Sequence, residues 1–217
     1  RMTRMLELFD IVRIDHFRAI DSAWAIPAHH PTAEHGEWVQ GPGDKFLEAI
    51  LEVSPKGGLV AEDLGIIPDS VVEMRKRHRL PGMAVLQFAF GGDADNAYLP
   101  HNYSRNTVAY SGTHDNDTTL GWYGEQGAKT QDHVRRYLNV SGDEVAWDLV
   151  RTAIQSTAHM AIVPLQDLLS LSSEARLNTP GSAMGNWQWR HTPEQLDALQ
   201  NDSAAYLKDL LKLYGRA

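Results

Sequence analysis

Three acidic residues each close a short β-branched or apolar run. Asp15 follows Val12-Arg13-Ile14, Glu62 follows Leu59-Val60-Ala61, and Asp115 ends Val108-Ala109-Tyr110-Ser111-Gly112-Thr113-His114-Asp115. A carboxylate delivered at the C-terminal tip of a strand is how a (β/α) barrel presents a reactive group on its ligand face. The chemistry that uses paired carboxylates in this way is acetal exchange between sugars. One carboxylate stabilises the anomeric carbon as it becomes oxocarbenium-like, and a protonated carboxyl serves the leaving oxygen. Asp15 suits the nucleophile, because Arg13 lies two residues away on a strand, faces the same side and favours the ionised form. Glu62 suits the acid/base, because partial desolvation by Leu59, Val60 and Ala61 favours the protonated form. Asp115 would hold sugar hydroxyls and favour a distorted ring. His16 and His114 each sit beside an acid and can donate hydrogen bonds to sugar hydroxyls.

The same residues have plainer readings. An Asp at a strand tip is often a turn or helix cap, Arg13 with Asp15 makes a structural ion pair, and Glu62-Asp63-Leu64-Gly65 reads as an acidic turn. Asp115-Asn116-Asp117 has the spacing of a calcium loop, but the Gly and late Glu that complete one do not follow, so no metal site is expected. His29, His30 and His35 lack zinc-ligand spacing and read as solvated or sugar-contacting. Trp24, Trp38, Trp122, Tyr123, Trp187 and Trp189 fall in predicted loops, where their faces suit sugar rings; the alternative is that half of them fill core. Trp147, inside a predicted helix, is assigned to packing.

The elements that would position these groups alternate strand with helix, which indicates an α/β fold. Residues 1–9 read as a helix end with Met2, Met5, Leu6 and Phe9 on one face. A strand over 11–15 and a Pro-, Gly- and His-rich loop over 27–43 follow. Asp44 is expected to cap a helix carrying Phe46, Leu47, Ile50 and Leu51. Strands are predicted over 59–62, 83–90, 107–112 and 161–165. Helices are predicted over 68–77, 130–138 and 141–157, the last entered through a Ser141/Glu144 capping box. A closing helix over 192–214 has Thr192 as cap, Pro193 at its first position and Gly215 beyond its end.

That gives about five β/α units, whereas a closed barrel has eight. The expectation is therefore the C-terminal portion of a (β/α)8 TIM-type barrel over residues 1–217, its first units lying before Arg1. A length of 217 residues, 42% hydrophobic content and 22% charged content suit a folded domain. A net charge of −8 disfavours nucleic acid as partner. The absence of cysteine removes disulfides and thiolate metal sites. No apolar run reaches membrane-spanning length, so a cytoplasmic enzyme without membrane contact is expected.

With these residues in hand, the chain resembles the amylomaltase, or disproportionating enzyme, family of 4-α-glucanotransferases. The likeness rests on the 12–18 block Val-Arg-Ile-Asp-His-Phe-Arg, Gly41-Pro42-Gly43, Ala61-Glu62-Asp63-Leu64-Gly65, Leu80-Pro81-Gly82-Met83, Leu86-Gln87-Phe88-Ala89-Phe90, Leu99-Pro100-His101-Asn102-Tyr103, the 112–122 block from Gly112 to Trp122, and Gly185-Asn186-Trp187-Gln188-Trp189-Arg190. These eight blocks run in the family's order. The sequence departs from the family pattern at Ala19, at Gly91-Gly92 before Asp93, and at Thr179.

The resemblance implies a (β/α)8 barrel that moves α-1,4-glucan segments between malto-oligosaccharides by a retaining double displacement, with no cofactor and no calcium. It implies Asp15 as nucleophile, Glu62 as acid/base and Asp115 as transition-state stabiliser. It places Arg13, His16 and His114 around the sugar next to the cleavage point, and Trp24 and Asn186 near the glucan path. An α-glucan hydrolase of the amylase type and a non-catalytic glucan-binding fragment are the alternatives. A partial barrel would expose a parallel edge, so the isolated chain is expected to be poorly active and prone to self-association without its N-terminal half.

Overall fold

The computed structural model describes residues 1–217, which divide into two units, Arg1–Met83 and Ala84–Ala217. In the first unit, helix α1 (Met2–Leu8) packs Met2 and Leu6 on the core and leaves Met5 and Phe9 exposed, so only half of its expected apolar face is used. Strand β1 (Val12–Ile14) leads into a 3-10 turn, Phe17–Ile20, that buries Phe17 completely. Truncating such a phenylalanine costs about 3–5 kcal/mol. Strands β2 (Ser22–Ala25) and β3 (Glu37–Gln40) then pair antiparallel, with Trp24 opposite Trp38. This hairpin occupies ground that the sequence assigns largely to a loop. Its strands are mostly exposed, so no inside–outside alternation announces them.

Helix α2 (Asp44–Leu51) buries Leu47 and Ile50 and turns Phe46 outward. Asp44 does not cap it. Gly43 is the capping residue, and Asp44 spends its carboxylate on Arg77 at 2.9 Å and His78 at 2.7 Å. Strand β4 (Leu59–Ala61) lies parallel to β1 in the register Val12↔Leu59, Arg13↔Val60, Ile14↔Ala61. All three β4 side chains are buried, as expected of a parallel strand covered on both faces. Helix α3 (Asp69–Arg77) starts after Pro68 and buries Val71 and Met74. Val12, Phe17, Leu47, Leu59, Val71 and Met74 share one core.

The chain enters the second unit within β5 (Gly82–Val85). That strand is shorter than the predicted 83–90, because the backbone turns at Leu86–Phe88 and carries the buried Gln87 amide to the Asp117 carbonyl at 2.9 Å. Strand β6 (Thr107–Tyr110) follows, and helix α4 (Thr119–Glu125) lies where no helix is predicted. With Gly121 and Gly124, α4 has poor intrinsic propensity. Packing holds it instead: Thr119 and Gly121 are buried, Leu120, Trp122 and Tyr123 lie on the core, and a Cβ at Gly121 would collide with Ser173.

Helices α5 (Ala128–Leu138) and α6 (Val145–Gln155) come next. The expected Ser141/Glu144 capping box does not form; Ser141 Oγ accepts from the Asp143 N–H at 3.3 Å. Helix α6 is apolar on two adjoining stripes. Val145, Leu149 and Ala153 enter one cluster with Leu86 and Phe90, and Val150 and Ile154 enter another with Leu210. Trp147 packs beside the second cluster, as assigned.

Strand β7 (Met160–Ile162) pairs parallel with β6, in the sheet order β5-β6-β7. It leaves the ladder before the predicted end, as Pro164 opens the short helix α7 (Leu165–Leu168). Helix α8 (Pro193–Ala198) begins with a capping box between Thr192 and Gln195, a π turn Leu199–Ser203 interrupts the predicted single helix, and α9 (Ala204–Leu213) ends before Gly215 at φ +66°. Between β5 and β6 there are two 3-10 turns and no α-helix. The regular repeat of about five β/α units read from the sequence is therefore not seen, and what the structure displays is an α/β fold with short parallel ladders.

Candidate active site

In the first unit the register of β1 and β4 brings the residues after Ile14 and Ala61 to neighbouring strand tips. Those residues are Asp15 and Glu62. Arg13 Nη2 donates to Asp15 Oδ1 at 2.8 Å, the same-face pairing expected from strand alternation, and Arg13 Nη1 reaches Met83 Sδ at 3.9 Å. The Asp15 side chain stays largely exposed, at 77%. Glu62 is held differently from the sequence expectation of simple desolvation. Its Oε2 accepts from the His16 main-chain N–H at 2.7 Å and its Oε1 from Leu64 N–H at 3.0 Å. His16 has φ +45°, a left-handed conformation rare for a non-glycine residue. Such strain concentrates where a local geometry is over-determined, and here it aims the His16 N–H at Glu62.

Beside this pair, Asp63 is mostly buried, its side chain 12% exposed. Its Oδ1 accepts from Met83 N–H at 2.8 Å, and its Oδ2 pairs with Arg75 at 2.8 Å. Burial pushes the Asp63 carboxyl up, against the opposing pull of the Met83 bond and Arg75. On the hairpin, Trp24 Nε1 donates to the Ala33 carbonyl at 2.9 Å, its ring meets Trp38 edge-on at 5.3 Å, and the Arg18 guanidinium covers Trp38 at 4.0 Å. In the same hairpin's loop the His30 ring packs on those of both His29 and His35.

In the second unit Asp115 follows β6. Its Oδ1 accepts from Asn178 Nδ2 at 2.6 Å, its main-chain carbonyl from Arg176 at 3.0 Å, and His114 Nε2 lies 3.4 Å from its Oδ2. The His114 ring packs on Trp187 with centroids 5.3 Å apart. Asp117 takes other partners, Thr118 N–H at 2.7 Å and Ser173 Oγ at 2.7 Å, so the Asp-x-Asp spacing of 115–117 does not converge its two carboxylates on one set of partners. Asn186 binds within its own loop, accepting from Thr179 N–H and donating to Ser182 O, both at 2.9 Å. Trp122 and Tyr123, read from the sequence as loop residues, are core-packed in α4. Sequence reasoning missed Asn178 and Arg176. They are polar residues in an irregular stretch, and only folding shows that they meet Asp115 some sixty positions earlier.

A family model described as 4-alpha-glucanotransferase matches residues 1–196. The chain is 47% identical over 218 aligned residues to the 4-alpha-glucanotransferase DPE1, chloroplastic/amyloplastic, of Arabidopsis thaliana, covering 100% of this chain and 38% of that protein. It is 48% identical over 204 residues to the 4-alpha-glucanotransferase of Thermus thermophilus, covering 90% of this chain and 41% of that one. Among solved structures, the amylomaltase from Streptococcus agalactiae in complex with acarbose superposes with a TM-score of 0.91 at 30% identity, over 100% of this chain and 43% of that chain. The chain thus spans about two fifths of the length of the curated relatives it matches.

Proposed function

The chain belongs to the 4-alpha-glucanotransferase family, and on that premise we propose that it is the C-terminal part of an enzyme that transfers α-1,4-glucan segments between malto-oligosaccharides. The observation that carries the reading is the pair of neighbouring parallel strand tips bearing Asp15, held by Arg13, and Glu62, held through both oxygens. Asp15 attacks the anomeric carbon of the donor, and Glu62 gives its proton to the departing O-4, so the glycosidic bond breaks as an ester bond to Asp15 forms. Glu62 then takes the proton of an acceptor 4-hydroxyl, whose oxygen displaces Asp15 and restores an α linkage. Asp115, steadied by Asn178 and His114, binds hydroxyls of the distorted sugar. By the family resemblance Arg13, His16 and His114 are assigned to binding the sugar next to the cleavage point, Trp24 offers an exposed aromatic face, and Asn186 acts by bracing the loop that carries Trp187. Each step uses only these side chains, the main chain and the sugars.

Residues 1–217 are read as one piece of a (β/α)8 catalytic barrel. The parallel pairings of β1 with β4 and of β6 with β7, each preceding a proposed catalytic acid or ending beside one, support that assignment. The complex of the Streptococcus agalactiae relative with acarbose supports a sugar-derived ligand. No helix is long and apolar enough to cross a membrane; cytoplasmic placement belongs to this reading, while the Arabidopsis relative is named chloroplastic/amyloplastic. The test is incubation of the full-length enzyme with maltotriose and separation of products by length. Transfer gives glucose together with oligosaccharides longer than maltotriose. Glucose and maltose alone would replace the reading with an α-glucan hydrolase, and unchanged maltotriose would leave a non-catalytic glucan-binding protein.

A further inference from the structure

Asp167 is a carboxylate buried to 1% exposure in the second unit, and the reaction above does not use it. Its Oδ2 accepts from Ser111 Oγ at 2.6 Å and from Thr119 Oγ1 at 2.8 Å, and its Oδ1 from the Thr119 main-chain N–H at 2.8 Å. Ser111 is the first residue after β6, and Thr119 is the first residue of α4; both are fully buried. The residues between them, 112–118, include His114 and Asp115. One side chain from α7 therefore clasps both ends of the loop that presents the proposed stabilising acid.

The interior of that loop is braced separately. Asn116 Oδ1 accepts from Thr113 N–H and Oγ1, and Asp117 is tied to Gln87 and Ser173. The Asp167 clasp adds to these bonds by fixing the two ends of the loop to each other. Burying a carboxylate is costly unless each oxygen is satisfied. Burial pushes the Asp167 carboxyl up while the Ser111 and Thr119 bonds pull it down. A serine in its place would fill less space, and an amide has one acceptor oxygen where these three donors are met by two.

We infer that Asp167 is a positioning residue, which sets the distance of Asp115 from the reacting sugar by holding Ser111 and Thr119 together. The inference rests on the reading of Asp115 as the transition-state stabiliser. Asp167→Asn replaces one acceptor oxygen with an N–H2 that faces donors, so the clasp opens on one side. In the full-length enzyme it is expected to lower kcat for maltotriose by about tenfold or more, while KM moves by less than about threefold, because the lost contact matters most where the ring is distorted. Ser111→Ala, which deletes a single bond, is expected to give a smaller loss of kcat with KM again steady. Thr119→Ser keeps both donors and is expected to retain wild-type kcat. Melting temperature and near-ultraviolet circular dichroism establish that each variant is folded.

Wild-type kcat in folded Ser111→Ala and Asp167→Asn would overturn the proposal. So would losses that simply follow the fraction of folded protein. Should Asp167→Asn fail to fold, Ser111→Ala decides alone. An Asp115→Asn control separates this failure from that of the broader reading: wild-type enzyme without transfer, or Asp115→Asn at full rate, sinks the function assignment. Transfer that is lost with Asp115→Asn but untouched by the clasp variants sinks only the role of Asp167.

Discussion

Glu62 accepts one main-chain N–H on each carboxylate oxygen, and each oxygen keeps a second lone pair for the proton destined for a leaving group. Glu62→Gln keeps one acceptor and turns an N–H2 toward the other donor. It is expected to lower the initial rate of glucose release from maltotriose by about 10²–10⁴-fold, the usual yield of general acid–base catalysis. Asp115 depends on Asn178 through the 2.6 Å bond to Oδ1. Removing a hydrogen bond to a charged group costs about 1.5–3 kcal/mol when the group is buried, and Asp115 is half exposed. Asn178→Ala is accordingly expected to cut kcat only about three- to tenfold, read from the same assay. The pairing of Asn178 with Asp115 could not be inferred from neighbours in sequence, since the two are 63 positions apart.

Among the elements, the β2–β3 hairpin is a scaffold for exposed rings. Trp24 is fixed by its bond to Ala33 and fits only because Gly36 carries no Cβ, which would come within 2.7 Å of the indole. Trp38 is held by Arg18, whose stacking at an exposed site is worth about 0.5–1 kcal/mol. Two large rings fixed in water suit a glucan chain beyond the reacting sugar. Trp38→Ala is expected to raise KM for long malto-oligosaccharides severalfold while kcat for maltotriose holds, measured by comparing the two substrates.

Helix α7 brings a different consequence through Asp167. An acid whose folded-state pKa is raised binds its proton more tightly when folded. Its contribution to stability is fully present below the unfolded value and is lost as pH rises through the folded one. The melting temperature of the wild type is thus expected to fall more steeply than that of Asp167→Asn as pH rises above the ordinary aspartate range. Thermal melts of the two proteins over a series of rising pH test the sign, and an equal slope would show that Asp167 carries no net burial cost.

At the scale of the whole molecule, the chain spans about two fifths of its curated relatives, and the proposed barrel needs strands that residues 1–217 do not supply. The isolated chain is expected to convert maltotriose at least about a hundredfold more slowly than the full-length enzyme and to self-associate through unpaired strand edges; product analysis and sedimentation of both proteins check this. Much of the fold is legible in the residues. The runs at Leu59 and Thr107 are β-branched or apolar throughout, the run at Val12 is so on either side of Arg13, and they form β4, β6 and β1; Thr192-Pro193 starts α8 as its capping chemistry requires. Elements whose stability comes from elsewhere are not legible. The hairpin is exposed and lacks alternation, and α4 has glycines that helices disfavour but a core that wants its aromatic face. The candidate site divides in the same way. Which acids follow strands, and that Arg13 shares a face with Asp15, are local facts set by the period of the β backbone. That Glu62 meets the N–H of His16, that Asn178 meets Asp115 and that Asp167 joins Ser111 to Thr119 are facts of chain return, decided by tertiary packing because hydrogen-bond partners far apart in sequence carry no shared local signal.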